Sequence, residues 1–586
     1  MLSISLPWRI YRGVLCLLFV GGAIFIAACS GDKSSPAVAI KSKEEAANPQ
    51  PKGPPLFQDL TKESGIDFTY RNGEDDEVLA IIESLGGGVG MIDYDGDGLI
   101  DLFFPGGGYY EGKKVMGNPC KLYRNLGNFK FQDVTKEVGL EDVNWCYSHG
   151  VSVADYDCDG FPDLLVSGYS RLILLHNEAG KDGKRRFVDV TEKANLKDNL
   201  WSSSTGFGDL DGDGFPEIYV CHYGDWGFET NHPQDCYYHD AKKRDVCQPR
   251  RFKPLPHSLY KNNGNGTFTD ISSELKPKEL GHGLGVLFLD VNGDGRSDIY
   301  VCNDTDDNYL YMNRGAKGEI KLEEVGFLAG VARDDRGNKN GSMGVDGSSY
   351  DRTGKPSIIV TNYENELPAL YSNRCKDQQI SFTFGTNTSG LGILGGNFVS
   401  WGTSFFDIEN RSWEDLMIVN GHAIRYPLAK FGRLQKSVLM KNVGGKFTLN
   451  TSEGGSYFQD MHNARGIAVG DLNNDGKLDV VISRLNAPVV VLKNVSENGH
   501  HWAGLELSGK KNRNLAGTKV TLTANGETQY RFVKGGGSFA SANDTRLHFG
   551  LGEAKKVDSM KIEWTNGKSQ TITDLPLDRY SQVKEE

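Results

Sequence analysis

A nine-residue acidic loop recurs along this chain and constrains it more than any other feature. Its first copy runs Asp93-Tyr94-Asp95-Gly96-Asp97-Gly98-Leu99-Ile100-Asp101, with oxygen-bearing side chains at positions 1, 3, 5 and 9 and glycine at position 6. The spacing returns at Asp155/Asp157/Asp159/Asp163, Asp209/Asp211/Asp213/Glu217, Asp290/Asn292/Asp294/Asp298 and Asp471/Asn473/Asp475/Asp479. Two decayed copies lie around Asp351 and Asp407; Thr353 and Arg411 take their position 5, and Ser357 takes position 9 of the first. Such spacing suits a hard divalent cation, because Ca²⁺ takes six to eight oxygens at about 2.3–2.6 Å. A helix–loop–helix calcium hand is excluded. It needs a bidentate glutamate at position 12, where this chain has Phe104, Val166, Val220, Val301 and Ile482. The flanks are strand-like, as in Asp163-Leu164-Leu165-Val166, so each loop joins two strands and position 9 supplies the closing carboxylate. An ordinary Asp/Gly turn does not require oxygens at four fixed positions. Both decayed copies are expected to keep the turn, and the Arg411 copy to hold no ion.

Aligned on the loop, the units start at 93, 155, 209, 290, 349, 407 and 471, mostly 54 to 64 residues apart. Each has four strand-like pieces. One leads into the loop and one leaves it. The third ends in a Leu-Tyr-Arg-Asn-like signature: Leu122–Asn125, Leu174–Asn177, Leu259–Asn262, Leu310–Asn313, Leu370–Asn373, Leu439–Asn442 and Val491–Asn494. The fourth reads like Phe131–Thr135, Phe187–Thr191 and Phe268–Ser272. Four short strands repeated seven times predict an all-β fold, a seven-bladed β-propeller over 56–497. A linear solenoid has the same periodicity. The ring is favoured because the seventh unit lacks a fourth strand, while an orphan one, Phe57-Gln58-Asp59-Leu60-Thr61, precedes the first unit. Closing the ring with it hides two sheet edges.

These repeats resemble the FG-GAP/VCBS repeats of the integrin alpha-chain propeller. With Trp401-Gly402-Thr403, Asn420-Gly421-His422 and Leu547-His548-Phe549-Gly550-Leu551-Gly552, the chain resembles a bacterial member of the cartilage acidic protein (ASPIC/UnbV) family from Leu56 onward. The resemblance implies Ca²⁺ at the five intact loops, about five sites in all, and supplies no defined reaction. Beyond residue 498 the repeat stops. Alternating runs at Ala503–Leu507, Thr518–Ala524, Gln529–Val533, Leu547–Gly550, Met560–Trp564 and Ser569–Ile572 predict a small β-sandwich or barrel over 498–586, which resembles the ASPIC/UnbV module. Gly535-Gly536-Gly537 reads as a hairpin turn, since no helix or lysine-serine pair follows to make a phosphate loop.

Residues 1–28 read as an export signal: Arg9 and Arg12 precede an apolar stretch from Gly13 to Phe25 that is short for a membrane span. Ile26-Ala27-Ala28-Cys29 resembles a lipoprotein box with Cys29 as the lipid-modified residue. Ser30 after it favours, by resemblance to Gram-negative sorting rules, the outer membrane or cell surface. Residues 29–55, rich in Ser, Ala, Lys, Glu and Pro, read as a disordered tether, with a reach of about 25–30 Å.

The net charge is −12, and −14 without residues 1–28, which hold two arginines and no acid. The five intact loops contain 18 ligand carboxylates. Five Ca²⁺ would bring the charge to about −4, so the acidity belongs to metal sites more than to an interaction surface; crowded carboxylates repel one another until a cation neutralises them. There is no phosphate-tracking footprint, which excludes nucleic acid as a partner. Outside Cys16 and Cys29 an even eight cysteines remain, which an exported protein can pair. Cys236–Cys247 is the first disulfide candidate and Cys120–Cys146 the second. Cys221 and Cys302, at equivalent points of adjacent units, pair or are buried thiols; Cys158, inside a loop, is expected to be free.

Cys236 and Cys247 lie in an insertion that stretches one unit to 81 residues. It also holds His222, His232, His239 and Asp240, a zinc-capable set whose spacing fits no compact zinc motif. The insertion between Tyr223 and His257, with Trp226, Tyr237, Tyr238, Arg250, Arg251 and Phe252, reads as part of a partner face or as a lid over a blade edge. No catalytic residue stands out: there is no nucleophile elbow or nucleotide fingerprint, and His149, His422, His462 and His548 read as structural histidines. The expectation is an exported, non-enzymatic adhesion or ligand-binding protein of the cell envelope, anchored through Cys29, with an unknown protein or glycan ligand. The alternative is a carbohydrate-binding protein or polysaccharide-active enzyme using the propeller face, with Trp201, Trp401 and Trp413 as candidates.

Overall fold

The computed structural model describes residues 53–238, 242–376 and 379–586. The expected signal over 1–28, Cys29 and nearly all of the tether lie outside the described residues, as do His239 and Asp240. Seven antiparallel four-stranded sheets follow one another along the chain; blade two, for example, runs Ser148–Ala154, Asp163–Gly168, Arg171–Ala179 and Arg185–Asp189 in spatial order. The first strand of blade three, Ser202–Gly208, is mostly short-chained and buried along its whole length. Second and third strands carry the apolar runs that pack blade on blade, such as Ile358 and Val360 against Leu287, Tyr300 and Leu310. The chain is a seven-bladed β-propeller followed by a small β-sandwich.

Phe57–Asp59 is the outer strand of the seventh sheet, pairing antiparallel with Val490–Asn494. It repeats the bonds that other fourth strands make within their own blades. The Thr61 hydroxyl accepts the Val491 N–H at 3.0 Å, as Thr135 accepts Leu122, Thr191 accepts Leu174 and Thr386 accepts Leu370. Phe57 is buried against Phe406 and Phe458.

A second device joins every blade to the one before it. The asparagine that closes each third-strand signature donates its side-chain amide to the carbonyl at loop position 2 of the preceding blade. Asn177 bonds Tyr94, Asn262 bonds Tyr156, Asn313 bonds Leu210 and Asn373 bonds Val291, at 2.7–2.8 Å. Asn442 bonds Tyr350 and Asn494 bonds Ile408. The seventh bond runs from Asn125 of blade one to Leu472 of blade seven at 2.7 Å and completes the circle.

The C-terminal module has two sheets around one apolar core that includes Leu505, Val520, Phe549 and Ile562. His501–Ser508 pairs with Leu547–Gly552 and, in parallel, with Tyr580–Lys584, a strand the sequence reading missed. Lys519–Ala524 is central in the other sheet, between Glu527–Phe532 and Ser559–Glu563. The glycine run is not a hairpin turn. Gly535 and Gly536 pair with Phe288 and Leu287 of blade four, and the segment from Lys534 to Arg546 continues through the centre of the ring. It bonds Val345 of blade five, Ile467 and Val469 of blade seven, Val89 and Met91 of blade one and Val151 of blade two. Phe539 packs edge-on against Trp401 of blade six at 4.9 Å. A Cβ on Gly535 would lie 1.8 Å from the Phe207 carbonyl of blade three, and one on Gly88 would lie 1.6 Å from that of Ala540. Only glycine permits this approach.

The insertion caps one end of the axis. Trp226 and Phe252 join the axial aromatic cluster with Trp201, Trp401 and Phe539. Cys236 and Cys247 are disulfide-bonded. Beside them the Asp245 carboxylate accepts the Arg425 and Tyr426 N–H groups at 3.0 and 2.8 Å, so a strap from blade three is tied to a blade-six loop. Cys120 and Cys146 are not bonded, a correction to the second disulfide candidate: one thiol faces the Ser148 hydroxyl and the other the Arg171 carbonyl. Cys158, Cys221 and Cys302 are free thiols too.

Candidate metal centres

All five intact loops fold by the same internal bonds. The position-1 carboxylate gathers the N–H groups that follow it: Asp93 accepts Gly96, Asp97 and Gly98 at 2.8–3.1 Å, and Asp290 accepts Gly293, Asp294 and Gly295 at 2.7–3.2 Å. Position 5 accepts the N–H two residues on, as Asp159 does from Phe161 and Asp475 from Lys477. Position 9 closes the loop and docks it on the third strand. Asp101 accepts Tyr94 and Asn125, Asp163 accepts Tyr156 and Asn177, and Glu217 accepts Leu210 and Asn262. Asp298 and Asp479 do the same with Val291 and Asn313, and with Leu472 and Asn494. Positions 4 and 6 are left-handed in every copy; Cys158 and Asn474 adopt φ of 61° and 56° at position 4.

Position 3 is different. Asp95 Oδ1, Asp157 Oδ1 and Asn473 Oδ1 are buried and have no hydrogen-bond partner. A buried oxygen without a donor costs about 1–3 kcal/mol, so its recurrence at one position of three loops fits an oxygen that serves as a cation ligand. Ligand oxygens of Asp93, Asp95 and Asp101, of Asp155, Asp157 and Asp159, and of Asp209, Asp211 and Glu217 come within 4.8 Å of one another. Burial pushes Asp101 up to about 8, Asp155 to about 7 and Asp209, Asp290 and Asp471 to about 6, with neighbouring carboxylates adding to the shift. The donor set is all oxygen apart from His176, whose Nδ1 lies 3.1 Å from Asp163 and 3.6 Å from Asp157. Such sets fit Ca²⁺ or a similar hard ion.

These shifts set the pH response of the metal-free protein. Folded-state values above the unfolded ones mean the folded state binds more protons between about pH 4 and 8, so stability falls as pH rises through that window. In chelator, calorimetry is expected to give a higher melting temperature at about pH 5 than at about pH 8. A rising trend would show that the loop carboxylates are not set as described.

The decayed loops keep the turn, with Arg352, Gly354, Asn410 and Ser412 left-handed. In blade six Arg411 reaches Asp415 at 2.7 Å and Glu409 at 2.9 Å, so a guanidinium sits among the carboxylates where an ion would. Among the described residues the insertion builds no zinc cluster: its two cysteines are bonded to each other, His222 is held by Asp198 and the Pro256 carbonyl, and His232 accepts Trp226 Nε1. Trp201 and Trp401 are buried in the axial cluster and Trp413 lies under the Arg352 guanidinium, so none offers an open stacking platform. His149, His422, His462 and His548 each bond backbone groups. An open groove of about 800 Å³ lies between the loops of blades six and seven and the C-terminal module; Asn410, Asn474, Asp475, His500, His501 and Asp578 line it.

Two family profiles match parts of this chain. The profile of the ASPIC and UnbV family matches residues 508–586, and that of the FG-GAP-like repeat matches 93–166, 159–220 and 256–301. Cartilage acidic protein 1 of Mus musculus is 23% identical over 485 residues, 72% of this chain and 71% of the relative. The Homo sapiens protein of that name is 22% identical over 72% of this chain and 69% of its own length. Among solved structures, an Agrocybe aegerita lectin is 14% identical with a TM-score of 0.36, covering 69% of this chain and 87% of that one.

Proposed function

We propose that this chain of FG-GAP-like repeats and an ASPIC and UnbV module is an exported, calcium-stabilised ligand-binding or adhesion protein of the cell envelope, held to a membrane through lipid at Cys29. The observation that carries the calcium reading is the partnerless oxygen at position 3 of Asp95, Asp157 and Asn473. Asp93, Asp95, Asp97 and Asp101, with their counterparts in blades two, three, four and seven, would hold the ions. Bound there, Ca²⁺ supplies charge neutralisation, and the protein's own carboxylates dock each loop on its third strand. The non-enzymatic reading is supported by the axis. Propeller blades surround a central channel, and here residues 534–546 fill it while the disulfide-bonded strap covers one end.

A glycan ligand is the favoured second reading, because the groove beside blades six and seven presents amide, carboxylate and imidazole groups suited to sugar hydroxyls. Incubating the chain from residue 30 with envelope extract and a glycan panel, with and without calcium and with product analysis, tests both. Saturable binding lost on chelation and without turnover is expected. Product formation would overturn the non-enzymatic reading.

A further inference from the structure

The seven loops are not electrostatically equal, and the difference follows one register. The residue just before the blade asparagine faces loop position 3. In blade one this is Arg124, 2.8 Å from Asp95 Oδ2. In blade two it is His176, beside Asp157 Oδ2. In blade three Lys261 contacts Asp211 Oδ2, and in blade six Lys441 contacts Glu409. Where position 3 is an asparagine the pattern changes. Blade four has Met312 at the register, and in blade seven Lys493 turns away over the Phe129 ring. There the amide supplies its own donor: Asn292 Nδ2 and Asn473 Nδ2 each bond the position-5 carboxylate at 2.9 Å. Other cations near these two loops reach different groups, Arg296 the Asp294 carboxylate and Arg546 the Asp471 carbonyl.

Acid at position 3 therefore goes with a basic residue at this register in blades one, two, three and six. Blade five departs from it, with Ser372 at the register and Arg374 3.7 Å from Asp351. Among the described residues, the position-3 amides of blades four and seven have no cation on them. In blades one and two the cation engages Oδ2 and leaves Oδ1 without a partner; in blade seven the amide geometry leaves Oδ1 in the same state. In blades one and three a single cation offsets one of four loop carboxylate charges and leaves three, the number blade seven carries outright; in blade four Arg296 offsets one of three.

We propose that Arg124 and Lys261 are affinity-setting residues, resident counter-cations that cancel the fourth carboxylate of their loops. They bring the blade-one and blade-three sites into the same concentration range as that of blade seven. This rests on the calcium reading above. Ligand charge count tunes calcium affinity over decades, so losing one compensating charge is expected to tighten a site by about tenfold.

Calcium titration of the full chain by calorimetry at fixed ionic strength, with terbium luminescence as a second readout, tests the assignment. Lys261→Met is expected to tighten one site about tenfold and to lower the melting temperature in chelator, because Asp211 is then unpaired. Lys261→Arg is expected to leave affinity within about twofold. The double variant Asp211→Asn/Lys261→Met, which copies blade four, is expected to return to the wild-type range. Arg124→Met carries the same expectation in blade one should Lys261→Met fail to fold. Unchanged or weaker calcium binding by both single variants, in a wild type that binds calcium, overturns the proposal. A wild type that takes up no calcium strikes the calcium reading itself.

Discussion

Chelation is expected to lower the melting temperature of this protein by about 10 °C, and added calcium to restore it. Each ion that binds only the folded state contributes about 1.4–2.7 kcal/mol when calcium exceeds its Kd ten- to a hundredfold. Five such sites supply about 7–14 kcal/mol, comparable to the whole stability of an ordinary domain. Spread over the unfolding entropy of a chain this long, that is about 10 °C. The effect is structural because position 9 of each loop also holds the third strand, through bonds such as Asp101 to Asn125 and Asp479 to Asn494. The same asparagines hold the neighbouring blade. Loosening one loop therefore loosens two blades. Scanning calorimetry in excess chelator is the check, and an unchanged curve would contradict structural ions.

The second large effect is expected at the seam of the ring. Deleting residues 57–61 removes the outer strand of blade seven and leaves Val490–Asn494 as an open edge. It also removes the Thr61 hydroxyl from Val491 and the Phe57 ring from between Phe406 and Phe458. Truncating a buried phenylalanine alone costs about 3–5 kcal/mol, so Phe57→Ala is expected to fall in that range and the deletion to exceed it. Hydrogen exchange is expected to rise first in blade seven and in Ser456–Gln459, which packs against Phe57 through Phe458, with the Asn125 bond to Leu472 still tying blades one and seven. A truncated chain that melts like the full one would mean that the seam bears little load.

Much of this architecture is legible in the residues because it is local. The acidic loop, its flanking strands and the third-strand signature all fall within one blade, so spacing alone reveals them. The role of the signature asparagine is not legible, because its amide acts on the neighbouring blade; the partner of Asn125 is 347 residues away. The axial segment is hidden for a different reason. Gly535-Gly536-Gly537 has the composition of a turn, and nothing in its own sequence says that seven inner strands will surround it. Strand Tyr580–Lys584 escapes notice because it pairs in parallel with a partner far upstream. Cys120 and Cys146 mislead in the opposite direction: both join the apolar cluster between blades one and two, but their thiols face Ser148 and Arg171. The counter-cation register leaves a partial trace in the sequence: Arg124, His176, Lys261 and Lys441 accompany acidic third positions and Met312 accompanies Asn292, but Ser372 accompanies Asp351 and Lys493 accompanies Asn473. It becomes meaningful only once the third strand is seen to lie over the loop.

Native mass spectrometry of the intact chain, exchanged into millimolar calcium and then into volatile buffer, tests the central claim most directly. The expected spectrum carries about five bound calcium ions, falling by one when Asp155, Asp157 and Asp159 are replaced together by asparagine. A chain that keeps its fold with no bound calcium at that supply would contradict a ring held together by metal.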